Sequence, residues 1–441
     1  MTVKVRFAPS PTGRLHVGNV RAAVINWLFA HRQGGQFVLR IDDTDLERST
    51  KAFEDGIEAD LTWLGLTWDE RHNQSARFPS YQNAAERLKA QGCLYPAFET
   101  AEELAVRRRV QLARGAPPIY DRAALKLSRA EIEQLEAEGR KPHWRFRLDG
   151  KRVRWTDAIR GEVEVDTASL SDPVLIREDG AFLYTLPSVV DDVEMAITHV
   201  IRGEDHVTNT GAQIEIFEAL GARAPDFAHY SLLVGADGEA LSKRLGSLSV
   251  ESLRADGYEP LAITSHIAGL GVAEAPSAAA SLPALADGFE MGRLGKAAAR
   301  YDVADMQRIN AQVLHGMTYA EAKPRLAAMD CDLGEAFWLV VRGNLARFAD
   351  IEGLARLVQG PVTPIIEDPA FAARAAELLP EPLAWGAWTD AVKAATGAKG
   401  KGLFQPLRRA LTGMDQGPEM AALLPLIGRE RALKRLAGET A

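Results

Sequence analysis

Near the N-terminus the period of the hydrophobic positions changes once. Val3, Val5 and Phe7 alternate with polar neighbours, the two-residue period of a strand. Pro9, Pro11 and Gly13 break that run, and Val20, Val24, Trp27 and Leu28 then recur at helical spacing. A strand that turns directly into a helix presents the helix N–H groups and dipole at the end of a sheet, which suits an anion. Phe37 to Ile41 predicts a second parallel strand, and 48–92 predicts two amphipathic helices joined by a loop rich in Asn, Gln, Ser and Pro. Leu61, Trp63, Leu64, Leu66 and Trp68 are core candidates there. After a stretch rich in Arg, Glu and Ala over 102–140, His143 to Leu148 and Val153 to Trp155 alternate as strands. Further strands are predicted over 196–203 and 227–235, with Asn209 capping a helix that runs to Gly221. Residues 246–315 read as helical around a low-complexity loop at 275–284. Residues 316–441 are Ala- and Leu-rich and helical, without strand alternation of any length.

Composition narrows the class. The 441 residues suffice for several domains, and 46% hydrophobic with 25% charged is ordinary for a globular chain. No apolar run reaches the roughly eighteen residues of a spanning helix, and the N-terminus enters a strand without an apolar leader. The two cysteines, Cys93 and Cys331, are too few for a disulfide framework or a four-cysteine zinc site, which fits a reducing cytoplasm. A net charge of −8 argues against general nucleic-acid coating, but a local basic face is enough to bind one.

Several residues carry candidate chemistry. His16 offers a donor able to follow charge developing on a phosphate oxygen, and Gly18, lacking Cβ, permits close approach of a purine or phosphate. The bland reading of His16 is a turn histidine with a local hydrogen bond. Asp42, Asp43 and Asp45 follow a predicted parallel strand, where open α/β sheets bind ligands, or else cap the helix that starts near Ser49 and Thr50. Arg6 and Arg202, each beside a strand end, could meet a buried carboxylate; the alternative for Arg202 is a surface ion pair with Glu204 or Asp205. Lys243, in Leu241-Ser242-Lys243-Arg244, could meet a triphosphate or simply sit on a surface loop. Arg107, Arg108, Arg109, Arg145, Arg147, Lys151, Arg152 and Arg154 suit a phosphate backbone as a set, while any one of them alone reads more readily as part of a solvated charged face.

Taken together, Arg6 to Gly13, Leu15 to Asn19, Arg40 to Asp45, Val189 to Asp192, Leu241 to Arg244, and Phe404 to Arg408 with Ala410 to Gly413 resemble the bacterial glutamyl-tRNA synthetases of the class I aminoacyl-tRNA synthetase family. The fine pattern is most similar to members found where a genome carries two copies. The resemblance implies an α/β fold: a class I Rossmann-like nucleotide-binding catalytic domain with an inserted acceptor-binding domain, followed by an all-α anticodon-binding region. The expected boundaries are 1–94 and 182–245 for the catalytic fold, 95–181 for the insertion, 246–315 for a helical stem-contact region and 316–441 for the anticodon-binding region. It implies a glutamate–tRNA ligase that activates L-glutamate with ATP and transfers it to the 3′ end of tRNA-Glu, with tRNA-Gln as the alternative or additional substrate. It also implies a cytoplasmic monomer with no membrane partner.

By the same resemblance, His16, Gly18 and Lys243 are catalytic, and Pro9, His16, Gly18, Asn19, Ser242, Lys243 and Arg244 bind ATP as its Mg²⁺ complex. Arg6, Ser10, Asp42, Tyr184, Ser188 and Arg202 bind glutamate, and Arg347 and Arg408 contact tRNA, with Arg342 and Arg409 as further candidates. The sequence departs from the commoner family pattern at Asp42 (often Glu), Ser188 (often Asn), His206 (Trp) and Ala240 (Lys). Some members hold zinc in the insertion, where Tyr95, Ala97 and Phe98 stand here, so zinc is not expected and no protein ligand to a metal is assigned. Three competing readings are weighed. A small nucleotidyltransferase would not need the long helical half. A truncated paralogue that modifies a tRNA base should lack that half. A non-catalytic tRNA-binding protein would have no reason to keep both His16-Val17-Gly18 and Ser242-Lys243.

Overall fold

In the computed structural model the described residues are 2–239, 241 and 248–441. They divide into two units, one of residues up to 254 with 264–302, the other of 255–263 with 303–441.

The first unit begins with β1 (Lys4–Phe7), α1 (Val17–Arg32), β2 (Gln36–Ile41), α2 (Lys51–Trp63), β3 (Glu70–Asn73) and α3 (Phe78–Ala90). β1, β2 and β3 form a parallel sheet. β3 lies where only a loop is expected: Glu70-Arg71-His72-Asn73 has no apolar alternation, because it is an edge strand that needs only to pair with β2. Next come β4 (Leu94–Ala97), α4 (Ala101–Ala113), α5 (Arg129–Ala137), β5 (His143–Phe146), β6 (Arg152–Asp157), β7 (Gly161–Asp166) and β8 (Val174–Ile176). Capping boxes, Thr100 with Glu103 and Ser128 with Glu131, start α4 and α5. β4, β5 and β8 make a small antiparallel sheet of their own. The β6–β7 hairpin does not stay with it. β6 runs parallel to β10 (Asp226–Tyr230), which also pairs with β9 (His199–Gly203), so residues 152–166 return to the main sheet from within the stretch expected to be inserted. Hydrogen bonds between Lys4 and Thr198 join β1 to the start of β9.

α6 (Thr185–Glu194) and α7 (Val207–Ala219) cover this sheet with buried faces. Asn209 lies inside α7 and does not cap it; the helix starts two residues earlier. Two short strands, β11 (Leu233–Gly235) and β12 (Ala299–Tyr301), pair in parallel, so the stretch 246–315 is not wholly helical, and a helix over Leu282–Asp287 begins inside the expected loop. The carboxyl ends of β1, β2, β9 and β10 point to one side, where such sheets bind ligands.

The second unit is helical throughout 303–441 and packs around Phe337, Trp338, Trp388, Leu407, Leu423, Leu424 and Ile427. Residues 255–263 join it through Glu259, whose carboxylate accepts two hydrogen bonds from Arg325 at 2.9 Å each and whose N–H donates to Asn310 at 2.7 Å. Among the described residues no helix is long and apolar enough to cross a membrane.

Candidate active site

At the strand ends lies a cavity of about 780 Å³. Its wall brings together Arg6, Pro9, Ser10, His16, Gly18, Asn19, Asp42, Tyr184 and Arg202, drawn from β1, the loop after it, α1, the end of β2, the start of α6 and β9. His206, Leu232 and Leu241 line it as well.

The loop after β1 ends in His16, the N-cap of α1. Its Nδ1 accepts from the Gly18 N–H at 3.2 Å, and Asn19 Oδ1 accepts from the His16 N–H at 3.4 Å. The local hydrogen bond of the bland reading is therefore present. It also fixes the ring: with Nδ1 accepting, the proton of the neutral imidazole sits on Nε2, and burial lowers the His16 pKa, favouring that neutral form. A Cβ on Gly18 would lie 3.0 Å from the His16 ring, so glycine here makes room first for the histidine. Ser249 bridges to His16, and the Val250 N–H donates to Leu15 O at 3.0 Å. Ser242, Lys243 and Arg244, and with them Ala240, lie outside the described residues; on one flank Leu241 lines the cavity and on the other Ser249 pairs with His16.

The three aspartates after β2 separate. Asp42 faces the cavity, accepting from Arg40 Nε at 2.7 Å and Nη2 at 3.2 Å. Burial pushes its carboxyl up to about 6, with Arg40 pulling the other way. Asp43 is structural, accepting from the Ser75 N–H and hydroxyl and from Asn73. Asp45 pairs with Arg48 at the surface. None of them caps α2; Thr50 does, accepting from the Phe53 N–H.

Behind the wall a charge network holds these groups. Asp192 accepts from Arg6 Nε at 3.1 Å and from Arg40 Nη1 at 2.8 Å, while Asp191 accepts from Gln74, Arg77 and Tyr81. Arg40 and Asp191 are fully buried, and such charges persist only when paired. No local spacing foretells this network, because Asp191 and Asp192 lie more than a hundred residues from these partners.

Arg202 differs. It is buried, and its partners are neutral: Nη1 donates to Tyr184 Oη at 3.0 Å, Nη2 to Thr210 and Gln213 at 2.7 Å each, and Nε to His229 Nε2 at 3.3 Å. It makes no surface ion pair with Glu204 or Asp205. Tyr184 is 41% exposed, with its hydroxyl 3.4 Å from His206 Nδ1. Ser188 is an expected pocket residue that the cavity wall does not include: it sits one turn along α6 from Tyr184, 1% exposed, with its hydroxyl unpartnered among the described residues.

Among the basic residues of the 95–181 stretch, Arg145 is buried, stacks on Tyr120 and donates to His143 and Asp172 O, so it is unavailable to a phosphate. Arg152 and Arg154 pair with Glu164, Lys151 with Glu218, and Arg107 with Glu99 and Asp121. Among the described residues Arg108, Arg109 and Arg147 pair with no carboxylate. Where zinc ligands would stand, Tyr95 donates to Asp172 at 2.7 Å, and Asp172 also accepts from Arg122. In the second unit Arg347 donates to Asp256 O and Ala346 O and stacks on Tyr258. Arg408 donates to Pro418 O and lines a cleft of about 200 Å³ with Trp385 and Phe404.

Residues 2–307 match the family model of class I tRNA synthetases (E and Q), catalytic domain, and residues 382–438 match an anticodon binding domain. Over 99% of this chain and 100% of the relative, the sequence is 60% identical to "Glutamate--tRNA ligase 1" of Maricaulis maris. A second "Glutamate--tRNA ligase 1", from Parvibaculum lavamentivorans, is also 60% identical, over 99% of this chain and 98% of its own. Among solved structures, a glutamate tRNA ligase from Elizabethkingia meningosepticum in complex with its amino acid superposes with a TM-score of 0.84 at 29% identity, covering 99% of this chain and 98% of that one.

Proposed function

Because the chain belongs to the class I tRNA synthetases for glutamate and glutamine, we propose that its cavity carries out the glutamate–tRNA ligase reaction with the residues assigned below. The reaction has two steps. An oxygen of the glutamate α-carboxylate attacks the α-phosphorus of ATP, and the bond to pyrophosphate breaks, giving glutamyl-adenylate. A terminal ribose hydroxyl of tRNA-Glu then attacks the activated carbonyl, and AMP leaves. No covalent enzyme intermediate is needed, so the protein supplies orientation and charge stabilisation.

His16 donates from Nε2 to the phosphates of ATP, which enters as its Mg²⁺ complex. Lys243 meets the departing pyrophosphate, and Pro9, Gly18, Asn19, Ser242 and Arg244 complete the nucleotide site. Arg202 with Tyr184 receives the glutamate side-chain carboxylate, helped by Arg6 and Ser10, while Asp42 receives the ammonium. Each Asp42 oxygen already accepts one bond from Arg40 and retains capacity for another. The observation that carries this assignment is the convergence, in one cavity, of a pre-oriented His16 with a buried Arg202 whose partners are all neutral. The stretch 95–181 serves the acceptor end of tRNA through Arg108, Arg109 and Arg147, and 316–441 serves the anticodon, with Arg347 and Arg408 as contacts. The reading extends to a cytoplasmic monomer.

The test is charging of purified tRNA-Glu and tRNA-Gln with labelled glutamate, with labelled glutamine as control. Glutamate on tRNA-Glu is the expected product, and glutamate on tRNA-Gln as well would widen the substrate range. Charging of neither by folded protein overturns the assignment.

A further inference from the structure

Behind Arg202, at the far side from the cavity, lies a buried pair that the reaction as described does not use. Asp157 closes β6, and its register partner in β10 is Phe227, two residues before His229. Asp157 Oδ2 lies 2.6 Å from His229 Nδ1, and Oδ1 accepts from the N–H groups of Ile159, Arg160 and His229 at 2.9–3.1 Å. Both side chains are fully buried. His229 Nε2 accepts from Arg202 Nε at 3.3 Å and lies 3.0 Å from the Thr210 hydroxyl.

The chain of partners fixes the tautomer. A carboxylate can only accept, so the His229 proton must be on Nδ1, which leaves Nε2 as an acceptor. Arginine can only donate, so it needs that acceptor. A second proton on the ring would set N–H against N–H, and burial disfavours the imidazolium. We infer that Asp157 and His229 are positioning residues for substrate recognition: Asp157 holds His229 as the Nδ1–H tautomer, so that Nε2 fixes the Arg202 guanidinium where it meets the carboxylate of glutamate. This rests on the reading of Arg202 as a glutamate ligand. The arrangement orients the cation without adding a counter-charge beside it, which Asp157 in direct contact would do.

Asp157→Asn is the decisive substitution. The carboxamide oxygen keeps the three backbone N–H groups, so its NH₂ turns to His229, forces the Nε2–H tautomer and opposes Arg202. Measured in tRNA-dependent aminoacylation, KM for glutamate should rise about tenfold, the loss of one hydrogen bond to a charged group, while KM for ATP and the thermal midpoint stay near wild type. Nitrogen-15 NMR of labelled histidine should report the tautomer change. Adding His229→Gln should recover most of the KM, since its carboxamide oxygen can accept from Arg202 whatever occupies position 157. If Asp157→Asn fails to fold, His229→Asn, which keeps the donor to Asp157 and loses the acceptor, should raise KM for glutamate more than His229→Gln. Arg202→Lys separates the two levels. An unchanged KM for glutamate there removes Arg202 from recognition. A raised KM there, with Asp157→Asn switching tautomer but leaving KM for glutamate unchanged, overturns the positioning role alone.

Discussion

Asp42 and Arg40 illustrate how a site residue and its support differ in legibility. Asp42 can be picked out because it follows an apolar strand and matches a family string. Arg40, one pleat earlier and pointing to the same face, bears the structural load: it neutralises Asp42 and Asp192 and lies 3.6 Å from Asp191. Apart from Asp42, its partners Asp191 and Asp192 come from the other end of the catalytic fold, and no short window of sequence holds them with it. The same holds for Asp157 and His229, whose pairing exists only once β6 lies beside β10. Because burial raises the Asp42 carboxyl to about 6, it is charged above that pH and neutral below it. KM for glutamate should therefore climb as the pH falls through about 6, by roughly tenfold per unit once Asp42 is mostly protonated. In Asp42→Asn it should be high and flat across the same range, as steady-state aminoacylation over pH 5 to 8 would reveal. A parallel climb in the variant would transfer the titration to another group, His206 being the neighbour to examine.

Elements were legible where their periodicity was strong. β1, α1, β2 and the helical C-terminal half follow the hydrophobic pattern closely, since their buried faces are written in apolar residues. β3 was not legible because an edge strand can be polar, and the return of β6 and β7 to the main sheet was not, because alternation reveals a strand but never its neighbour. Capping gives a test at this scale. His16 both caps α1 and is assigned to the phosphates, and the two roles separate by substitution. His16→Asn keeps a good N-cap, whereas His16→Ala costs about 1 kcal/mol of stability. The expected result is a near-native thermal midpoint for His16→Asn, a lower one for His16→Ala, and glutamyl-adenylate formation reduced about a hundredfold in both. Wild-type turnover in His16→Asn would leave the histidine with its cap alone.

At the scale of the whole molecule, the second unit is built from two separated pieces of chain, and the shorter supplies Tyr258 beneath Arg347 and Glu259, whose buried carboxylate accepts from Arg325 and whose N–H donates to Asn310. A fragment beginning at residue 303 should therefore melt below one beginning at 255, by several degrees in a circular-dichroism scan, as expected for the loss of one or two kcal/mol from a domain of this size. Equal midpoints would make 255–263 a passive connector. The boundary is hard to read in sequence, because 255–263 has the helical composition of its surroundings and its partners follow 51 to 91 residues later. One last feature bears on what the molecule can afford to accept. Arg202 is solvated inside the protein by hydroxyls, an amide and an uncharged imidazole. Glutamine has almost the outline of glutamate, but it brings a dipole where that guanidinium lacks an anion, and its amide hydrogens would oppose those of the arginine. On the proposed assignment of Arg202 to the substrate side chain, the acid is chosen over its amide by charge more than by outline.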